Sequence, residues 1–233
     1  MHIPDGYLGP ATCVATFAAM APAWAIASSR AKRNLDARKV PLLAIGAAFS
    51  FVIMMFNVPI IGGTTGHAVG SVLVAILLGP WAASIACTVA LAIQALLFGD
   101  GGITALGANC LNMAFVMPFA GYGVYRLVSA VGTKGEPSPK RRIVAAGLAG
   151  YVGIVVASLF AAVEFGVQPL LHRAADGRAL YCPYGLSVAI PAMVGEHLLV
   201  FGWVEFAVTA IAVAFIQKRE PGLLGPARAE KGA

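Results

Sequence analysis

The chain opens Met1-His2-Ile3-Pro4-Asp5-Gly6-Tyr7-Leu8, and its first two residues offer more chemistry than any other pair. Initiator methionine is ordinarily trimmed only ahead of a small residue, and His2 is large. The opening also lacks the basic start and apolar run of a cleavable leader. A free Met1 amine directly followed by an imidazole is therefore expected. The amine nitrogen, the His2 amide nitrogen (once a metal displaces its proton) and a His2 ring nitrogen then form a chelate. Among late first-row metals, Ni(II), Cu(II) and Co(II) suit such a nitrogen-rich, near-planar set.

A second imidazole ends the run Gly62-Gly63-Thr64-Thr65-Gly66-His67. Its glycines permit close backbone approach, and His67 supplies a fourth nitrogen. A lone loop histidine would simply bond a backbone carbonyl; with His2 at a free terminus and only four histidines in the chain, a ligand role is the better reading. Zinc prefers a tetrahedral set with thiolate or carboxylate, which only Asp5 is placed to complete. Asp5, Thr64 and Thr65 are candidate oxygen partners for the ring N–H groups, although Asp5 could instead cap the turn after Pro4. Asn109 and Asn112, one helical turn apart, are expected to bond between helices, with lining of the metal cavity as the second role. Capture needs the amine and rings unprotonated. With a reference amine pKa of about 7.7–8.0, binding is expected to weaken on acidification.

The elements that must position these groups are membrane helices. Hydrophobic residues make up 59% and charged residues 11%, against about 25% charged in an ordinary globular protein, and the mean hydropathy is +0.84. Apolar runs long enough to span fall near 9–29, 40–58, 81–98, 103–129, 143–167 and 189–216, with a shorter one at 67–79. Of sixteen lysines and arginines, five lie in 30–39, five in 126–142 and four from Lys218 onward; only Arg173 and Arg178 lie elsewhere. The positive-inside rule makes those three segments cytoplasmic, and placing them on one side requires the short segment to cross. The expectation is an all-α integral membrane protein with seven transmembrane helices, the N-terminus extracytoplasmic and the C-terminus cytoplasmic. Residues 1–216 form a single membrane domain headed by a metal-binding segment at 1–8, and 217–233 form a short cytoplasmic tail. Topology accounts for the net charge of +6 without a nucleic-acid partner. Cys13, Cys87, Cys110 and Cys182 lack paired metal-site spacing and read as small buried hydrophobes.

Residues 1–8, Gly62–His67 and Gly99-Asp100-Gly101-Gly102-Ile103-Thr104-Ala105-Leu106-Gly107-Ala108-Asn109 together resemble the CbiM/NikM family, over residues 1 to about 216. The resemblance implies a substrate-capture subunit of an energy-coupling-factor importer for cobalt or nickel in the bacterial cytoplasmic membrane. It implies metal held by the terminal amine of Met1, the His2 amide and imidazole, and His67. It also implies three partners: a CbiQ-like membrane coupling protein, a CbiO-like cytosolic ATPase and a small CbiN-like membrane component. No prosthetic group is expected, the transported Co(II) or Ni(II) being the ligand. Cobalt is the reading taken, with nickel as the alternative. The chain has no Gly-x-x-x-x-Gly-Lys-Ser/Thr loop, so ATP hydrolysis belongs to a partner and the chain is not an enzyme.

Glu164, Glu196, His197 and Glu205 lie in apolar segments where ionisable groups are costly; structural pairing is expected, and a proton-coupled secondary metal transporter is the rival. Glu196 and His197, as helix neighbours, should point apart. Alanines at 11, 15, 19, 23 and 27 form a small-residue stripe expected to pack inside the chain. His172 is expected to be solvated.

Overall fold

The computed structural model describes residues 1–37, 39–60, 64–131 and 136–224. Single turns apart, these form seven helices and one small hairpin. Helices α1 (Pro10–Asn34) and α2 (Lys39–Met54) lead into strands β1 (Val58–Ile60) and β2 (Thr64–Gly66), paired antiparallel with Val58 opposite Gly66. Next come α3 (Ser71–Leu78), α4 (Pro80–Ile93, prolonged by a π turn at Gln94–Phe98) and α5 (106–130, with a π stretch at Cys110–Val116). The last two are α6 (Pro139–Gly166) and α7 (Leu186–Arg219, with a π turn at His197–Phe201). Pro10, Pro80 and Pro139 open α1, α4 and α6, where a missing N–H costs nothing and the fixed φ suits a helix.

Pro10–Asn34, Pro80–Phe98, Pro139–Leu171 and Leu186–Arg219 are long and apolar enough to cross a membrane. Leu97, Phe56, Leu199 and Ile211 point outward with most of their surface uncovered, a density of exposed apolar side chains that only lipid accommodates. The chain is an all-helical, multi-pass membrane protein. Two of the seven expected spans are shorter than the apolar runs suggested. α2 stops after 16 residues, about 24 Å, because the hairpin takes over where the run to 58 read as helix. α3 has eight residues, about 12 Å against a hydrocarbon core of about 30 Å. Ser71 through Ile76 are all buried. Walled by protein, α3 need not match the bilayer, and the non-helical backbone before it is tolerated only if its polar groups are satisfied internally.

α6 runs through the middle of the bundle between α5 and α7. Its buried face is Ala145, Ala149, Gly150, Gly153, Ala157 and Ala161, small residues that let neighbouring backbones come close. The alanine stripe on α1 does not pack as expected: Ala23 and Ala27 are buried, but Ala11, Ala15 and Ala19 face outward. Inward positions on the first half of that helix belong to Cys13, Thr16 and Met20, beside the stripe rather than on it. All four cysteines are buried and free.

Polar contacts mark the two ends. At one, the N-terminal segment meets residues 99–104 and 168–182. At the other, Arg30 lies over the Trp81 ring at 5.3 Å, Arg142 pairs with Glu136 at 2.8 Å and reaches the Leu224 carbonyl at 3.3 Å, and Arg141 bonds the Val128 carbonyl at 2.8 Å. α7 continues past residue 216 to Arg219, so the helix takes in the start of the expected tail. Residues 225–233 of that tail lie outside the described residues.

Candidate metal centre

Residues 1–9 form no helix, yet Met1 is 3% exposed and Ile3 and Leu8 are buried. Pro4 and Gly6 keep the segment extended and turning, so its backbone must find partners elsewhere. Asn109 provides two: its Oδ1 accepts the Ile3 N–H at 2.8 Å and its Nδ2 donates to the Ile3 carbonyl at 3.1 Å. That carbonyl also accepts the Gly102 N–H at 2.8 Å. Further along, the Tyr7 carbonyl accepts the Cys182 N–H at 3.1 Å, and the Gly9 N–H donates to Gln168 Oε1 at 2.9 Å. Gly101, at φ 87°, passes so close to His2 that an added Cβ would sit 3.3 Å from its Cδ2; a side chain there is excluded by both backbone and space.

These contacts seat His2 against His67. The ring centroids are 4.6 Å apart, stacked with an interplanar angle of 27°. Their tautomers follow from fixed partners. His2 Nε2 lies 3.2 Å from Gln94 Oε1, and Gln94 points its amide nitrogen at the Phe51 carbonyl, 3.4 Å away. Gln94 therefore accepts, His2 Nε2 carries the proton, and Nδ1 keeps its lone pair. His67 Nδ1 donates to the Ala68 carbonyl at 3.0 Å, which leaves its lone pair on Nε2. His2 Nδ1 and His67 Nε2 are buried, and neither makes a hydrogen bond. Asp100 Oδ1 stands 3.4 Å from His2 Nδ1, a carboxylate within reach of a cation bound there.

Burial dominates the protonation of this corner. Desolvation pulls the Met1 amine down to about 5, against smaller pulls upward from Glu196 and Asp100. It takes His2 down to about 3, helped by the neighbouring terminal charge. Both groups are neutral at pH 7, so the proton competition expected near an ordinary amine pKa moves to more acid conditions. Asp100 shifts upward, again through burial.

Not every expected partner reaches the rings. Asp5 turns away from them: its carboxylate accepts the N–H groups of Ile103 (3.2 Å) and Thr104 (2.8 Å) and bonds the Thr104 hydroxyl. Those bonds, the hydroxyl first, hold its pKa below the usual value. Asp5 thus pins the segment to the loop after α4, and neither a ring partner nor a zinc ligand is found there. Asn109 serves the Ile3 backbone rather than a ring. Asn112 donates to Glu164 Oε2 on α6 at 2.7 Å, the interhelical bond expected of it, and takes no place beside the imidazoles. The side chains of Thr64 and Thr65 lie outside the described residues. His172 is half-buried rather than freely solvated: its ring packs on Tyr181 at 5.1 Å and so tightly on Gly9 that a Cβ there would overlap it. Glu196 and His197 do not diverge; Oε1 is 3.3 Å from Nδ1, while Nδ1 donates to the Met193 carbonyl at 2.7 Å.

Gln94 and Asp100 went unnoticed in the sequence. Gln94 carried a usable signal, an amide within an apolar run. Asp100 sat inside a glycine-rich stretch with nothing to distinguish it from a turn residue. Gln94, Asn112 and His197 all lie in π turns, wide turns that often mark functional positions and that apolar periodicity does not announce. Among the described residues, no three His, Cys, Asp or Glu side chains converge at metal-binding distance; a site here draws on backbone nitrogen as well as the two rings.

Removing the Asn109 clamp tests how far the seating of residue 3 controls the corner. Asn109→Ala leaves a buried N–H without its acceptor, which costs about 1–3 kcal/mol. Metal affinity is expected to fall about tenfold, since supporting contacts of this kind are worth 10–100-fold; titration of the detergent-solubilised protein measures it, and an unchanged affinity contradicts the clamp.

The fold and this corner have known counterparts. The family model described as "Cobalt uptake substrate-specific transmembrane region", CbiM, matches residues 2–223. A fused nickel transport protein NikMN of Rhodobacter capsulatus is 57% identical over 230 residues, 98% of this chain. The chain spans 65% of that relative's length. A cobalt transport protein CbiM of Ruminiclostridium cellulolyticum is 34% identical over 170 residues, 72% of this chain and 64% of the relative. A crystal structure of a truncated transition-metal transporter superposes with a TM-score of 0.88 at 53% identity, covering 94% of this chain and 99% of that one. The chain belongs to the CbiM family, and so to a family of membrane transport subunits rather than enzymes.

Proposed function

We propose that this chain is the substrate-capture subunit of an energy-coupling-factor importer and that its cargo is Ni(II), held by the Met1 amine, the His2 amide and Nδ1, and His67 Nε2. The observation that carries this reading is the pair of buried imidazole lone pairs, each freed by a fixed tautomer, stacked beside the buried terminus. Four nitrogens, one of them an amidate, favour a planar field, and planar nitrogen sets select Ni(II) or Cu(II) over Co(II). The 57% identity to a protein named for nickel, against 34% to one named for cobalt, supports the same choice and reverses the lean to cobalt taken from the sequence. Asp100, 3.4 Å from His2 Nδ1 and half-buried, offsets part of the ion's charge.

In this reading the corner faces the outside, since the basic segments gather at the opposite end and the positive-inside rule puts them in the cytoplasm. Inward passage requires partner subunits: a membrane coupling protein and a cytosolic ATPase. The fused relative, half as long again as this chain, supports a small membrane component as a third. The carboxylates of the rival proton-coupled scheme each have a structural partner: Glu164 meets Asn112, Glu196 lies 3.3 Å from His197 Nδ1, and Glu205 accepts two backbone N–H groups.

The proton count tests the ligand set. With amine and rings neutral at pH 7, the amide proton is the one an ion must displace, so about one proton leaves per ion and affinity rises about tenfold per pH unit between about pH 6.5 and 8. Below about 5 the amine protonates and the dependence steepens. Calorimetry in buffers of different ionisation enthalpy gives the count; zero protons at neutral pH would remove the amide from the set.

A further inference from the structure

His67 is gripped on both sides by one helix. Immediately before it, Gly66 presses on Phe201 of α7 so closely that an added Cβ would overlap the ring. Two and three residues after it, Glu205 of α7, fully buried, accepts the Val69 N–H on Oε2 at 2.8 Å and the Gly70 N–H on Oε1 at 3.0 Å. Residues 201 and 205 are one turn apart on the same face. The Glu205 bonds are also what non-helical backbone at this depth requires, because no water is at hand to satisfy Val69 and Gly70. His2 is held by a different part of the molecule: Gln94 at the end of α4, Gly101 and Gly102 in the following loop, and Asn109 on α5.

We infer that Glu205 is the positioning residue for His67, tying the fourth nitrogen of the site to α7, while the two His2 nitrogens ride on α4, the loop after it and α5. The inference rests on the metal reading above and extends it. Glu205→Gln is the sharpest probe. The amide keeps the shape and one acceptor, but sets its own N–H₂ against the second backbone donor, so the segment after His67 loses its two-point hold.

The experiment uses the full chain in detergent, with Ni(II) as probe, affinity from competition with a chelator, and the visible ligand-field spectrum. His67→Ala defines the spectrum of the site without its fourth nitrogen. Glu205→Gln is expected to weaken Ni(II) by about ten- to hundredfold, as loss of a ligand-orienting contact does, and to move the spectrum toward that of His67→Ala. In the His67→Ala background the same change is expected to cost nothing further, since the two act through one ligand. Gly66→Ala, which pushes the segment off Phe201, is expected to shift the spectrum the same way and serves if Glu205→Gln does not fold. A native spectrum in Glu205→Gln, or an equal loss with and without His67, overturns the assignment. If His67→Ala itself keeps native affinity and spectrum, the metal reading falls, and this inference with it.

Discussion

One residue added ahead of Met1 is expected to lower Ni(II) affinity by about a thousandfold, about 4 kcal/mol. The added peptide bond turns the terminal amine into an amide, whose nitrogen offers no lone pair to a metal. It also removes the five-membered ring that anchors the ion while the next amide gives up its proton, so one covalent change weakens two of the four nitrogens. Space opposes the extension as well, because Met1 is 3% exposed and its surroundings are packed side chains. Acetylation of the native amine separates the effects: it adds little bulk but abolishes the donor, and the same loss is expected from it. Competition titrations on native, extended and acetylated protein decide the matter. An extended chain that binds within threefold of the native one would mean the terminus is not a ligand.

The second large effect is expected at His67. His67→Ala removes one of the four nitrogens, and Ni(II) affinity is expected to drop about a hundredfold, about 3 kcal/mol. The three-nitrogen chelate of Met1 and His2 survives, because its supports at Gln94, Gly102 and Asn109 do not involve His67. Selectivity is expected to change along with strength. A planar four-nitrogen field is where Ni(II) gains most over Co(II), so opening one position narrows the gap between the two metals. Parallel titrations with both ions give the ratio; an unchanged ratio would mean that His67 contributes affinity without geometry.

How much of this was legible in the sequence depends on the range of the interaction involved. Met1 and His2 are adjacent, so their chelating capacity needs no fold to be recognised. Apolar runs located the helices because burial in lipid requires continuous stretches of about twenty residues, and the short run at 67–79 stood out as too brief for that. The misreadings came from contacts that composition does not encode. Asp5 looked like a partner for the rings, but Thr104 and Ile103 claim its oxygens from across the loop. His172 looked solvated because its loop is polar, but Gly9 and Tyr181 pack against it. The run ending at 58 read as one helix, but Val58 pairs with Gly66.

Residue types by themselves therefore determined the membrane setting and which donor atoms are candidates, since each depends on local chemistry or on sums along the chain. Tertiary structure alone decided which tautomer each imidazole holds, which elements support each candidate ligand, and how irregular backbone survives at depth. Those depend on single hydrogen bonds between residues far apart in sequence: Asn109 to Ile3, Gln168 to Gly9, Glu205 to Val69 and Gly70. A hydrogen bond is fixed by a few tenths of an ångström. Only the assembled bundle brings such distant groups within that tolerance.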